Sequence, residues 1–309
     1  MKTRTKLAAF AAALAATFGG ALAVGAAIGP IDVGDGGGHG DRTPIDSAAV
    51  KSPRGLAIAE AGYRLVLEAE TAATGTASTL AFQIVDDSGV PVTGFEELHE
   101  RPLHLIVLAR NLVDYLHLHP EMDANGRWTV ELPALQPGSY RVFADFQPDG
   151  GDNLTLGADI TVAGNVVAQQ LPGTSGVSTI DGYSVSLSGS PRVGDAELGF
   201  TVALDGELIS TDPYLGAAGH LVAIRSGDLA YLHVHPHATD TPSVISFTGE
   251  FPTAGTYRLF FEFSHDGQVR TVAFTVVVPA ATDDPHDNPH DDPHDDMTMN
   301  SAAHEAEGN

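Results

Sequence analysis

Residues 138–143 have the sequence Gly-Ser-Tyr-Arg-Val-Phe, and residues 255–260 repeat this pattern as Gly-Thr-Tyr-Arg-Leu-Phe. Three further segments recur with an offset that stays between 116 and 118 residues. They are Leu80-Ala-Phe82 with Leu198-Gly-Phe200, His104-Leu-Ile-Val with His220-Leu-Val-Ala, and Tyr115-Leu-His-Leu-His-Pro120 with Tyr231-Leu-His-Val-His-Pro236. Self-similarity at a fixed period is the signature of a repeated structural unit. The pattern therefore predicts two tandem copies of one domain.

Each copy is predicted to be an all-β domain, a β-sandwich of the immunoglobulin type. Short apolar or alternating runs separated by Gly, Pro, Asp and Asn give about seven strands in roughly 110 residues, which suits that fold. Tyr140 and Tyr257 each open a strand just after a Gly, as in a tyrosine corner, where the hydroxyl bonds back to the preceding loop. Trp128 has no counterpart in the second copy and is predicted to lie in the core of the first.

Changes in composition mark the predicted domain boundaries. The two sandwich repeats span residues 51–165 and 172–279, with a short linker of Gly, Pro and Ser around residues 171–178. Residues 29–50 are rich in Gly and are predicted to be a flexible linker. Residues 280–309 repeat Asp-[Asp/Asn]-Pro-His and contain few apolar side chains, so we expect a disordered tail.

Residues 1–28 are predicted to be an export segment. Lys2, Arg4 and Lys6 precede 22 uncharged residues, and Ala21-Leu22-Ala23 fits a signal-peptide cleavage site. At about 1.5 Å per residue the same stretch would also cross a hydrocarbon core of about 30 Å, so a membrane anchor is an equal alternative. In both cases the rest of the chain lies outside the cytoplasm, secreted or tethered, with membrane contact only through this segment.

Charge and composition exclude several classes of function. The chain has 40 acidic and 15 basic residues, a formal charge of −25, and such a surface repels nucleic acid and attracts cations. The absence of cysteine excludes disulfides, thiolate catalysis and cysteine-ligated metal centres. No nucleophile elbow, phosphate-binding glycine loop or H-E-x-x-H motif is present, so we do not expect an enzyme.

Histidines at matched positions of the two copies are the candidate functional residues. A two-residue hairpin loop at Arg110-Asn111 would place His104 opposite His117, and His119 would share their face because it is two residues further on. Three neutral imidazoles suit Cu(II) or Zn(II), so one metal site per domain is predicted. The corresponding set in the second copy, with a loop at Ser226-Gly227, is His220 opposite His233, together with His235.

Neighbouring residues could complete these sites. Met122 follows the first H-x-H-P segment and would add a thioether that favours copper, while His237 lies at the matched end of the second copy. Asp145 and Glu262 are matched acids inside apolar strands and are predicted to hold histidine tautomers from the second coordination shell. The remaining candidates are His99 and His265.

A structural role for the histidines is the alternative. Residues 103–108 are apolar on both faces, so His104 and His220 could be core histidines bonded to backbone carbonyls or to a nearby acid. Because the two copies share one ancestor, their matching histidines are not independent observations.

The tail combines imidazole with acidic residues. His286, His290 and His294 recur with a period of four, and Met297-Thr-Met299 follows, a pattern typical of weak, multivalent cation capture. Solubility in a salty medium is the alternative reason for such an acidic tract.

The segments His104-Leu-Ile-Val-Leu-Ala-Arg110, Tyr115-Leu-His-Leu-His-Pro120 and Pro137-Gly-Ser-Tyr-Arg-Val-Phe-Ala-Asp-Phe146 resemble those of secreted or membrane-anchored bacterial proteins with heavy-metal or copper-related names. In outline both repeats are also similar to small copper-binding β-sandwiches of the CopC and YtkA-like kind. The resemblance to the first group implies a secreted or membrane-anchored protein and no established activity, whereas the likeness to CopC-type proteins implies a periplasmic copper-binding β-sandwich.

The sequence thus predicts an extracytoplasmic protein that binds a transition metal, copper first and zinc or nickel as alternatives, for buffering or delivery. Its partners would be metal ions and a membrane metal transporter or metalloprotein acceptor. The alternatives are a non-catalytic cell-surface adhesion or scaffold protein with structural histidines and a pH-responsive sensor.

Overall fold

The computed structural model describes residues 53–232, 234–237 and 243–280, and these residues form strands and their connections. The predicted all-β fold of two tandem immunoglobulin-like sandwiches is confirmed. In this described part of the chain, no helix has the length and apolar character needed to span a membrane. The predicted export segment, the linker at residues 29–50 and the tail beyond residue 280 lie outside it.

The first sandwich consists of a five-stranded and a six-stranded sheet. Its strands are β1 (Ala59–Glu60), β2 (Tyr63–Leu67), β3 (Thr71–Ala72), β4 (Ser78–Asp86), β5 (Phe95–Glu96), β6 (Leu103–Ala109), β7 (Tyr115–Leu118), β8 (Glu121–Met122), β9 (Arg127–Leu132), β10 (Gly138–Pro148) and β11 (Leu154–Val162). The sheet orders are β1-β2-β4-β9-β8 and β3-β11-β10-β6-β7, and β5 pairs with the end of β10. All pairs are antiparallel except β3 with β11.

The second sandwich repeats this arrangement with fewer edge strands. Its strands are β12 (Val177–Ile180), β13 (Tyr183–Ser188), β14 (Gly194–Leu204), β15 (Glu207–Leu208), β16 (His220–Arg225), β17 (Tyr231–Leu232), β18 (Val234–His237), β19 (Ile245–Phe251), β20 (Gly255–His265) and β21 (Gln268–Val278). One sheet has the order β12-β13-β14-β19-β18 with β15 on β14, and the other has the order β17-β16-β20-β21.

Aromatic side chains dominate the core of each sandwich. Trp128 is fully buried and stacks on Phe82 with ring centroids 6.2 Å apart, which confirms its predicted place in the first core. In the second core Phe200 stacks on Phe261 at 4.3 Å. Such stacked pairs add to the free energy that burial of the rings contributes.

Both predicted tyrosine corners are present. The Tyr140 hydroxyl donates to the carbonyl of Gln136 at 3.0 Å, and the Tyr257 hydroxyl donates to the carbonyl of Thr253 at 2.8 Å. Each bond ties the start of a central strand, β10 or β20, to the loop before it.

Removal of either hydroxyl is expected to destabilise its own sandwich. In Tyr140→Phe or Tyr257→Phe the loop carbonyl loses its partner, which costs about 1 kcal/mol of unfolding free energy. Urea unfolding of the two variants and of the double variant measures this loss. The corners lie in separate sandwiches, so the losses should add; an unchanged unfolding midpoint in both single variants would contradict the prediction.

Strand β6 is buried on both faces because the two sandwiches pack against each other. Its residues Leu105 and Val107 point into the first core, whereas Ile106 and Leu108 belong to a separate apolar cluster shared by both sandwiches. This cluster, called the interface here, also contains Leu112, Phe143, Val222, Ile224, Leu229, Tyr231 and Phe260.

Aromatic contacts across the interface are reciprocal. Tyr115 of the first sandwich stacks on Phe260 of the second with centroids 4.1 Å apart and planes 9° apart. Their counterparts by the repeat, Tyr231 and Phe143, lie 5.6 Å apart. Each copy thus presents the same surface to the other, the arrangement of a two-fold dimer.

The predicted hairpin register is wrong by two residues in both copies. Ile106 lies opposite His117, where a two-residue loop would have placed His104. The loop is longer because the amide of Ala109 donates to the carbonyl of Asp114, and Leu112 adopts a positive φ of 62°. The second copy has the same slip, since Ala223 lies opposite Leu232. A shift of two residues keeps every side chain on its face, so the histidines still face the interface side.

Candidate metal centre

Four histidines and one glutamate meet at the end of the interface. His104 on β6, His117 on β7 and His119 just after β7 come from the first sandwich. His220 on β16 and Glu262 on β20 come from the second. The side chains of His117 and Glu262 are only 1% and 3% exposed, so the group is shielded from solvent.

The imidazole rings are in contact with one another. The ring centroid of His117 lies 5.1 Å from that of His104, 4.8 Å from that of His119 and 4.9 Å from that of His220. The exposed ring of His99 approaches His104 to 6.0 Å and His220 to 5.7 Å at the rim. His104 also lies 5.2 Å from His119 and 5.7 Å from His220, so His104 and His117 together form the middle of the cluster.

Hydrogen bonds at the outside of the cluster define the tautomers of two rings. The Nε2 atom of His104 lies 2.8 Å from the carbonyl oxygen of Leu98, which can only accept, so this nitrogen carries a hydrogen. The Nδ1 atom of His117 lies 2.6 Å from Oε2 of Glu262 and donates to that carboxylate. In neutral rings, the inner nitrogens, Nδ1 of His104 and Nε2 of His117, then both carry lone pairs.

These two lone pairs face each other at 2.9 Å. Such a contact is favourable only when a positive species, either a proton or a metal ion, binds the two nitrogens. A ligand histidine that donates its outer N–H to a carboxylate is the usual arrangement around protein-bound metals. Glu262 of the second sandwich thus occupies the position of a second-shell carboxylate for His117 of the first sandwich.

Two further ring nitrogens are buried without a hydrogen-bond partner among the described residues. They are Nε2 of His119 and Nδ1 of His220. His104, His117 and His119 each offer a ligand atom within 4.8 Å of the other two. A buried polar atom without a partner calls for an explanation, and an ion is one.

Burial keeps His104, His119 and His220 neutral. Desolvation, with a smaller effect of His117, lowers the pKa of His104 to about 4. Desolvation, followed by repulsion from His117, His104 and Arg101, lowers the pKa of His119 to about 3. Burial also holds the pKa of His220 well below its ordinary value. Neutral imidazoles have the free lone pairs that a metal needs.

Metal-free protein is expected to lose stability between about pH 6.5 and pH 4. Unfolded histidines titrate near 6.5, whereas His104 and His119 titrate near 4 and 3 when folded, so the unfolded state binds more protons in this window. Stability is therefore present above pH 6.5 and falls as the pH falls. Urea unfolding at pH 7 and pH 5 with chelator present measures it; equal midpoints at the two values would refute the expectation. His237→Asn, at an exposed site, is the control.

The structure describes only part of the ligand set that the repeat predicts for the second copy. His220 lies in the cluster of the first sandwich, beside His117. Residues 234–237 form β18, which pairs with β19 in the other sheet of the second sandwich. Residue 233 and the side chain of His235 lie outside the described residues, as do His286, His290 and His294 of the tail.

Other predicted ligands lie elsewhere in the sandwiches. Met122 is opposite Trp128 on the other sheet and packs against the first core. His237 is exposed near Thr248 and Glu197. His265 lies 2.9 Å from the hydroxyl of Tyr183.

The two matched acids differ in their contacts. Asp145 accepts hydrogen bonds from Asn153 at 3.1 Å and Thr155 at 3.0 Å, and these bonds keep it within its own sandwich. Glu262 is one methylene longer and reaches His117. This contact between the copies is not predicted from the sequence, although the apolar character of β6 on both faces is a signal that its outer face is covered.

The family comparison matches both copies. Residues 58–164 and 178–280 match the model of one family, described as Domain of unknown function (DUF8832). No curated protein matches the chain.

Solved structures with detectable similarity include two bacterial adhesins and a titin fragment. The Escherichia coli adhesin FdeC is 14% identical over 75% of this chain and 66% of its own, with a TM-score of 0.24. The Yersinia pseudotuberculosis adhesin InvE is 13% identical over 70% and 58%, with a TM-score of 0.22. Titin A168169 is 13% identical over 71% and 98%, with a TM-score of 0.21. The match thus spans less than two thirds of either adhesin, and values of this size carry no conclusion about binding partners.

Proposed function

This chain belongs to the DUF8832 family and contains two copies of its domain, and we propose that it is a non-enzymatic, extracytoplasmic protein that binds a transition-metal ion where the two copies meet. The proposed ligands are His104, His117 and His119, with Glu262 as the second-shell carboxylate. An all-nitrogen set favours Cu(II) among divalent first-row ions, with zinc and nickel as alternatives.

The unpartnered Nε2 of His119 is the observation that carries this proposal. A proton between His104 and His117 would account for their 2.9 Å contact, but it would leave His119 buried and unsatisfied. A metal ion held by His104, His117 and His119 would account for both observations at once. The outer hydrogen bonds to Leu98 and Glu262 already hold two of the rings in the tautomers that an ion requires.

Buffering or delivery of the metal is the role proposed for this site. The acidic chain and its tail would concentrate cations, with His286, His290 and His294 as a low-affinity collector. The cargo would pass to a membrane metal transporter or a metalloprotein acceptor.

Calorimetric titration with Cu(II), Zn(II) and Ni(II) tests the proposal. The full chain is compared with a full-length variant in which the tail histidines His286, His290, His294 and His304 are replaced by Asn. We expect the variant to keep tight binding, with a dissociation constant below about 1 μM. If replacement of the tail histidines abolishes all tight binding, the metal binds to the tail and the proposal is wrong.

A surface adhesion or scaffold protein with structural histidines is the second candidate. The buried interface, which joins the two sandwiches through a shared apolar cluster, favours it. Two of the similar solved structures are described as adhesins, although their low TM-scores add no weight. In this case neither added metal nor chelator would change the melting temperature, whereas a ligand that binds only the folded state raises it.

A further inference from the structure

A second set of ligand atoms surrounds the other nitrogen of His117. His117, His220 and Glu262 each offer a ligand atom within 4.8 Å of the other two. Oε2 of Glu262 lies 2.6 Å from Nδ1 of His117 and 3.9 Å from Nδ1 of His220. His220 Nδ1 is buried and has no hydrogen-bond partner among the described residues, so the second sandwich also contributes an unpartnered ring nitrogen.

We propose that His117 bridges two metal ions. The first ion binds Nε2 of His117 together with His104 and His119, and the second binds Nδ1 of His117 together with His220 and Glu262. This inference rests on the proposed function, because it adds a second ion to the same cluster. It goes beyond that function because the second ion would join the two sandwiches directly, with one ligand from the first and two from the second.

The chemistry of the second position is consistent with a borderline cation. Two nitrogens and one carboxylate oxygen suit Cu(II) or Zn(II), and three protein ligands leave a position for water. When this ion binds, the Nδ1 proton of His117 leaves to solvent, and Glu262 changes from hydrogen-bond acceptor to ligand. The negative charges of the bridging imidazolate and of Glu262 offset half of the charge on two dications.

Copper titration followed by electron paramagnetic resonance tests the bridge. An isolated Cu(II) ion gives a signal, whereas two Cu(II) ions joined by an imidazolate couple their spins and lose it. In the full chain with Asn at the four tail histidines, we expect the signal to rise until about one equivalent is added. It should then fall towards baseline as the second equivalent binds.

Variants of the second position separate the two ions. Glu262→Gln and His220→Asn should each bind about one equivalent, with a signal that rises and then stays level. The one equivalent should bind more weakly in Glu262→Gln, because this change also removes the second-shell carboxylate of the first site. Glu250→Gln, at an exposed acid on β19, is the matched control and should behave as the parent chain. Circular dichroism shows whether each variant is folded, and the two variants report independently should one of them fail to fold.

Three outcomes would overturn an assignment, and they are distinguishable. Binding that ends at one equivalent in the parent chain overturns the bridge and leaves the first site intact. A signal that keeps growing through the second equivalent shows two uncoupled ions and also overturns the bridge. Failure of the chain with substituted tail histidines to bind copper at all contradicts the proposed function itself.

Discussion

Replacement of His117 by Ala is expected to abolish tight metal binding, although the other histidines of the cluster remain. His117 belongs to both ligand groups that occur among the described residues, and its ring is in contact with those of His104, His119 and His220. Because even second-shell changes weaken metal sites by about 10- to 100-fold, loss of this ligand should cost more than 100-fold. Calorimetric titration with Cu(II) measures the change directly.

Thermal unfolding gives a second readout of the same substitution. A metal ion at 100 times its dissociation constant stabilises the folded state by about 2.7 kcal/mol, and this increment should disappear in His117→Ala. His237→Ala, at an exposed histidine outside the cluster, is the control and should retain the full increment. If the His117 variant keeps the metal-induced rise in melting temperature, the ion binds elsewhere and the proposed centre is wrong.

The second large effect is expected at the interface, at a residue that offers no ligand atom. Phe260 is 1% exposed and stacks on Tyr115 at 4.1 Å, so Phe260→Ala would leave a cavity between the sandwiches. Truncation of a buried Phe to Ala typically costs about 3–5 kcal/mol. Urea unfolding of the metal-free protein measures this loss of unfolding free energy.

The same substitution should also weaken metal binding. Phe260 and Glu262 lie two residues apart on β20, so their side chains are on the same face of the strand. Glu262 contacts His117 from this face. Val269→Ala, on an exposed side chain of β21, is the control and should change stability by less than about 0.5 kcal/mol. A loss below about 1 kcal/mol in Phe260→Ala would show that the sandwiches do not pack through this surface.

The fold could be predicted because its signals are local or repeated. The recurrence of Gly-x-Tyr-Arg at 138 and 255 identifies both copies, and the hydroxyl bonds of Tyr140 and Tyr257 are the tyrosine corners that this spacing predicts. Trp128 is predicted to lie in the core of the first copy, and it is fully buried there. None of these predictions needs knowledge of how the copies meet.

The site could be predicted only in part, because it depends on contacts between the copies. The grouping of His104, His117 and His119 follows from strand periodicity, which survives a register error of two residues. The contribution of His220 and Glu262 does not follow from strand periodicity. A repeat pattern predicts two equal sites unless the packing of one copy on the other is known. The loop with Leu112 at positive φ likewise depends on the interface that buries this side chain.

Because the interface is reciprocal, each sandwich of this duplicated chain carries a surface that fits a second copy of itself. A single sandwich, cut free in the connector at residues 163–176, would expose the apolar surface around Phe143 or Phe260 and is expected to pair with a second molecule of itself. In the intact chain the connector replaces this association with an intramolecular one at high effective concentration. Covalent linkage also allows the two halves to diverge in sequence. Asp145 and Glu262 show this, because Asp145 bonds within its own sandwich and Glu262 bonds to His117 of the other.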